Sequence, residues 1–143
     1  MYRRFFGIFA LCLATLAFIG GPALSQGGGL VIELNKFEDG EQNACQAFFL
    51  FRNSTDETFE SFEMSFAILD GNGVIDRLLT IDASPLNASR TALKLFELPD
   101  ISCADVSEIL IHEIGSCKPQ NQAEIDCFPL IDLVSRTDAK LVF

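Results

Sequence analysis

The nine residues Cys45-Gln-Ala-Phe-Phe-Leu-Phe-Arg-Asn53 constrain this chain more than any other stretch. In an extended strand successive side chains point to opposite faces, so Cys45, Ala47, Phe49 and Phe51 line one face while Phe48 and Leu50 line the other. Apolar groups on both faces predict a buried strand, with Gln46 and Arg52 near its ends where water is within reach. A chain built on such a strand needs other strands to cover it.

The flanking sequence supplies them. After Gln26-Gly-Gly-Gly29, Leu30, Ile32 and Leu34 alternate with Val31, Glu33 and Asn35 in a first strand, and Glu38-Asp-Gly-Glu41 turns it. The turn formers of Asn53-Ser-Thr-Asp-Glu57 end the second strand. In the third, Phe62, Met64, Phe66 and Ile68 face one way and Ser61, Glu63, Ser65 and Ala67 the other, a pattern that covers a core on one side only. Asp70-Gly-Asn-Gly73 tolerates the positive φ of a tight hairpin, and the fourth strand, residues 74–82, is expected to turn Ile75, Leu79 and Ile81 inward.

Residues 83–89, with Pro85, read as a loop. In the fifth strand, Arg90–Leu98, the order of Leu93, Leu95, Phe96 and Leu98 breaks alternation after Leu95 and predicts a bulge. A corner at 99–104, a sixth strand at 106–114, a polar loop at 115–126 and a seventh strand carrying Leu130, Ile131, Leu133 and Val134 complete the chain. No helical period appears after residue 26. About seven short strands predict an all-β fold, an antiparallel two-sheet immunoglobulin-like sandwich, with a small closed β-barrel as the alternative that strand patterning leaves open.

Residues 1–25 have the layout of a secretory signal peptide and stand outside the domain. Arg3 and Arg4 give a positive start, residues 5–19 an apolar core shorter than the ~20 residues of a spanning helix, and Ala23-Leu24-Ser25 small residues at the positions a signal peptidase reads. Cleavage is expected before Gln26, leaving residues 26–143 as one β-sandwich domain, periplasmic or secreted, with no stable membrane insertion afterwards. Arg3-Arg4-Phe5-Phe6 partly resembles a twin-arginine signal, but Tyr2 stands where that motif has Ser or Thr. Cys12 follows Leu11, where a lipoprotein signal needs a small residue.

Loss of Arg3 and Arg4 moves the formal charge from −10 to −12, because every Asp and Glu lies after Gln26. Such a surface disfavours nucleic acid and anionic lipid, serves solubility, and leaves room for a basic partner.

Four cysteines remain, Cys45, Cys103, Cys117 and Cys127, an even number in an exported chain, and disulfides are expected. Alternating strand directions put the starts of strands two and six at one end of the sandwich, which favours Cys45–Cys103 and Cys117–Cys127 among the three pairings. Cys103 and Cys117 flank a strand about nine residues long, roughly 30 Å when extended, against the ~7 Å between Cα atoms that a disulfide tolerates. A zinc site would need closer cysteine pairs and more than one histidine.

No residue set specifies a cofactor, a metal or a nucleophile. His112 lies between Ile111 and Glu113 in a strand, there is no Gly-x-Ser-x-Gly elbow, and any Ser or Cys nucleophile would have only His112 as its imidazole base. The turn at residues 70–76 fails as a calcium loop, since Val74, Ile75 and Ile81 stand where the ligands and glycine of an EF-hand belong. Hydrolysis without histidine would have to use carboxylates such as Asp70, Asp76 and Asp82. Asn53-Ser-Thr55 and Asn87-Ala-Ser89 match the glycosylation pattern, which matters only in a eukaryotic source.

Leu34-Asn35-Lys36 before Cys45, the strand end Arg52-Asn53, Leu69-Asp-Gly-Asn-Gly73, Leu95-Phe96-Glu97-Leu98 before Ile101-Ser-Cys103, and Cys117 together resemble small exported proteins of alphaproteobacteria that have no assigned activity. The resemblance implies a periplasmic address and an immunoglobulin-like fold, and it carries no catalytic residues. The expected function is a non-enzymatic interaction module for a protein or envelope component. The alternatives are an inhibitor or chaperone of an envelope enzyme, and a carboxylate-dependent hydrolase.

Overall fold

A computed structural model describes residues 28–143; the signal-peptide reading of residues 1–25, with Cys12 and the cleavage site, lies outside them. Among the described residues the chain forms eight strands: β1 (Leu30–Asp39), β2 (Cys45–Asn53), β3 (Phe59–Leu69), β4 (Ile75–Asp82), β5 (Arg90–Leu98), β6 (Glu108–Pro119), β7 (Ile131–Ser135) and β8 (Lys140–Val142). Short 3-10 turns precede β6 and β7. The strands make two four-stranded sheets, one ordered β5-β2-β1-β7 and the other β4-β3-β6-β8. The molecule is thus a two-sheet β-sandwich with open edges at β5, β7, β4 and β8, and the closed-barrel alternative is set aside.

β2 and β3 are inner strands, one in each sheet, and their aromatic faces meet. Phe49 stacks on Phe66 with ring centroids 5.3 Å apart, and Phe51 meets Phe62 edge-on at 6.4 Å. Phe49, Phe51, Phe62, Met64, Phe66 and Ile68 are fully buried. Such pairs add ring-geometry energy to the burial of large apolar area, so the core sits between these two strands.

The sheets are mixed, which corrects the purely antiparallel seven-strand expectation. β7 runs parallel to β1 from Leu30↔Ile131 to Leu34↔Ser135, and β8, which no sequence signal marked, runs parallel to β6 from Glu108↔Lys140 to Leu110↔Val142. β6 is longer than expected and takes in Cys117, because half of the polar 115–126 stretch pairs with β3.

Three facing assignments also change. Ile75 points outward and is 57 % exposed, because the β3–β4 register slips between Ile68 and Leu69, passes over Asp76 and reverses the parity of the strand's first residue. β5 has no bulge: it pairs with β2 residue by residue, so Leu93 and Leu95 lie on the outer face and Ala92, Lys94, Phe96 and Leu98 on the inner. Phe48 and Leu50 are only half-buried, because a two-layer sandwich covers one face of β2 and leaves the other open.

Besides Asp76 in β4, the register breaks at Asn35 in β1, at Glu60 in β3 and at His112 and Gly115 in β6. Disulfides join Cys45 to Cys103, with Cα atoms 4.8 Å apart, and Cys117 to Cys127, with Cα atoms 6.2 Å apart, both within the ordinary span. They point to an oxidising compartment.

Candidate functional site

Of the three carboxylates that the sequence offered for chemistry, the structure keeps two in one groove and sets the third apart. Asp70 and Asp76 line one groove of about 500 Å³ at an end of the sandwich, together with Asn72, Asp100, Ser102 and Asp105. Asp82 is elsewhere, at the far end of β4. Asp70 caps its own hairpin turn: Oδ1 accepts backbone N–H groups from Val74 at 3.0 Å and Asn72 at 2.9 Å, and these bonds, the Val74 one first, hold its carboxyl below the usual range. Asp82 is lowered by hydrogen bonds from the Ser84 hydroxyl and backbone N–H. Both shifts favour the ionised form, the direction opposite to that of a general acid that must hold its proton.

His112 is an exposed bulge residue between the Ser65↔Glu113 and Phe66↔Ile111 pairs. All four described cysteines are bonded in disulfides. Among the described residues no group of three His, Cys, Asp or Glu side chains could hold a metal ion, and no helix is long and apolar enough to cross a membrane.

The two Asn-x-Ser/Thr motifs have different fates. Asn53 is 3 % exposed, and its amide is engaged. Nδ2 donates to the carbonyls of Glu57 at 2.7 Å, Leu86 at 3.1 Å and Asn87 at 3.2 Å, while Oδ1 accepts from Thr55 N–H at 3.0 Å and Thr55 Oγ1 at 2.7 Å. It ties the β2–β3 turn to the loop before β5. Asn87 is exposed.

What the fold leaves open is apolar sheet surface. On the outer face of the β4-β3-β6-β8 sheet, one row crosses all four strands: Leu78, Ala67, Leu110 and Val142 are register partners. The next row adds Ile75 and Leu69. Leu78 is 61 % exposed, and Val74 at the turn 60 %. Ala67, with only 1 % of its surface open, is covered between its two leucine neighbours, so the row is continuous. Phe143 beyond β8 meets Phe128 edge-on at 5.4 Å. Large side chains this exposed and this close together mark interaction surface more often than scattered ones do.

The other sheet carries a smaller block. Phe48 and Leu50 of β2 pair with Leu95 and Leu93 of β5, and the Lys36 ammonium sits 4.3 Å above the Phe48 ring. Beside it, Glu33 is the one charged side chain buried among the described residues, although it lies on this outer face. Its carboxylate accepts from Arg52 Nη1 at 2.7 Å and Asn35 Nδ2 at 2.8 Å, with Arg136 Nε 3.6 Å away. The Arg52 bond, then the Asn35 bond, hold its pKa below the ordinary 4.5 against the opposing effect of burial.

Sequence reasoning missed this cluster, because Arg136 reaches Glu33 only through the parallel β1–β7 pairing. It also missed the outward turn of Leu93 and Leu95, for which a signal existed: they share parity with Thr91 and Glu97, and polar residues at both ends of one parity mark the solvent face.

No protein-family model matches the chain, and no curated protein matches it. Among solved structures, IrmA from Escherichia coli matches with a TM-score of 0.55 at 17 % sequence identity, covering 73 % of this chain and 89 % of that one. At that identity the likeness shows the fold alone, and the fold is a two-sheet β-sandwich.

Proposed function

We propose that this chain is a non-enzymatic interaction module that works in the periplasm or after secretion, and that it binds a protein through the outer face of the β4-β3-β6-β8 sheet. The observation that carries the reading is the continuous apolar row Leu78, Ala67, Leu110 and Val142, extended by Ile75 and Leu69. Export is supported by the signal-like residues 1–25 and by two disulfides. The same reading keeps the immunoglobulin-like kinship and the likeness to small exported alphaproteobacterial proteins.

The test is capture from periplasmic extract by the purified domain and by Leu78→Asp. A partner retained by the wild type and lost with Leu78→Asp supports the reading; identical capture by both sinks it. If the retained partner is an envelope enzyme whose activity or yield changes on binding, the module is an inhibitor or chaperone.

A hydrolase reading has one observation in its favour, the presence of Asp70 and Asp76 in a single groove. Turnover of peptidoglycan or polysaccharide by the wild type, abolished by Asp76→Asn, would replace the module with an enzyme.

A further inference from the structure

We infer that the partner of the β4-β3-β6-β8 face is a cationic amphipathic polypeptide segment, with an apolar centre and Lys or Arg on both sides. The inference rests on the interaction-module reading and adds the chemistry of the occupant. It follows from where the acids lie relative to the apolar row.

Along the outer face of β3 the order is Leu69, Ala67, Ser65, Glu63, and each step of two residues advances ~7 Å. The rung of Ala67 is apolar on all four strands. One rung to one side, Leu69 pairs with Glu108, and Asp70 and the acidic groove come next. One rung to the other side, Ser65 pairs with Glu113, and beyond it Glu63 pairs with Asp82. Carboxylates therefore bracket the apolar band along the strand direction at roughly 7 and 14 Å.

Their charge is available to a partner. Among the described residues none of Glu63, Asp82, Glu108 and Glu113 has a salt-bridge partner, whereas Asp76 is held by Arg77 at 2.5 Å and Glu60 by Lys118 at 2.6 Å. Lys140, the register neighbour of Glu108, is the cation beside the band. An acidic segment would add its charge to that frame; a basic one relieves it while its apolar centre covers Leu78 and Leu110.

Docking is face-on. The free edge of β4 carries Arg77 at the core-facing register position opposite Ile68, and an inward charge on an edge strand obstructs the addition of another strand. The outer face has no such guard.

The experiment titrates the purified disulfide-bonded domain into two fluorescent synthetic peptides, one with a leucine-rich centre flanked by lysines, the other identical with glutamates, and follows anisotropy at low and moderate salt. The lysine peptide binds and weakens with salt, and the glutamate peptide does not bind. Leu78→Ser and Leu110→Ser each weaken the lysine peptide roughly tenfold. Leu93→Ser on the opposite sheet leaves it unchanged, which separates this face from general attraction to an acidic protein. Should either leucine variant fail to fold by circular dichroism, Glu63→Lys and Glu113→Lys, both at exposed positions, must produce the same loss.

Equal binding of both peptides, no binding of the lysine peptide, or indifference to these substitutions overturns the inference. Self-association abolished by Leu110→Ser overturns it in favour of a second copy. If extract capture depends on Leu78 while the lysine peptide fails, the interaction module stands and its cationic partner falls.

Discussion

Phe48 and Phe49 are adjacent, chemically identical, and sit on opposite faces of β2, so replacing each by alanine measures what each face covers. Phe49 is 1 % exposed, with ring centroids of Phe66, Phe96 and Phe51 at 5.3, 5.8 and 6.2 Å. Truncating it removes the transfer free energy of a fully buried ring and opens a cavity that rings in both sheets cannot close. The expected loss is about 3–5 kcal/mol. Phe48 is half-buried on the outer face, with Lys36 above its ring. Its truncation exposes no core and forfeits partial burial and one exposed cation–π contact, about 1 kcal/mol together.

The two variants should therefore differ by at least ~2 kcal/mol, which for a domain of this length is on the order of 8 °C in melting temperature. Urea denaturation followed by far-UV circular dichroism is the suitable assay, since the chain has no Trp and its one Tyr is Tyr2. Equal losses would mean that β2 is covered on both faces, and the two-layer reasoning would be wrong.

Further outcomes test other parts of the structure. Opening Cys45–Cys103, which spans 58 residues, by paired Cys→Ala substitutions should cost about 4 kcal/mol, and opening Cys117–Cys127, which spans 10, about 3, by the chain-entropy relation. Urea midpoints in the reverse order would refute loop closure as the source. Glu33→Gln removes a buried anion from between Arg52 and Arg136 and should lower stability by about 1–3 kcal/mol at neutral pH. Because its folded pKa is depressed, that contribution is complete above the unfolded value near 4.5 and is lost as pH falls through the lower folded value. A gap between wild type and Glu33→Gln that stays constant down to pH ~2 would contradict the assignment. Asn53→Ala removes a buried amide that donates to three carbonyls, of which Leu86 O keeps the Phe59 N–H and Glu57 O keeps the Thr55 hydroxyl, and should cost ~2 kcal/mol, with faster proteolysis near residues 54–58 and 86–89; unchanged stability and cleavage would mean that water replaces the amide at no cost.

The alternation of Phe62, Met64, Phe66 and Ile68 determined β3 and its buried face without help from the rest of the chain. The residues of Asp70-Gly-Asn-Gly73 determined the hairpin, where Gly73 adopts φ 76° and the Asp70 side chain closes the turn on Asn72 and Val74. Both are local facts: period-two patterning and positive-φ tolerance are written in consecutive residues. The Cys45–Asn53 bounds of β2 were equally local.

Tertiary structure decided everything that depends on which strand lies beside which. The two-sided apolar pattern of β2 says that both faces are apolar, but only the layer count says that Phe49 is core and Phe48 is not. A one-residue slip in the β3–β4 register turned Ile75 to solvent, and the unslipped pairing of β5 turned Leu93 and Leu95 outward with it. Parallel pairing joins Leu30 of β1 to Ile131 of β7, 101 residues on, and Glu108 of β6 to Lys140 of β8, 32 residues on, and leaves no trace in local periodicity. That pairing brings Arg136 to Glu33 and completes the row at Val142. The candidate binding face is therefore made of residues whose types are plain in the sequence and whose common side is settled only by register, because a strand's outward parity is meaningful only relative to the sheet that covers its other face.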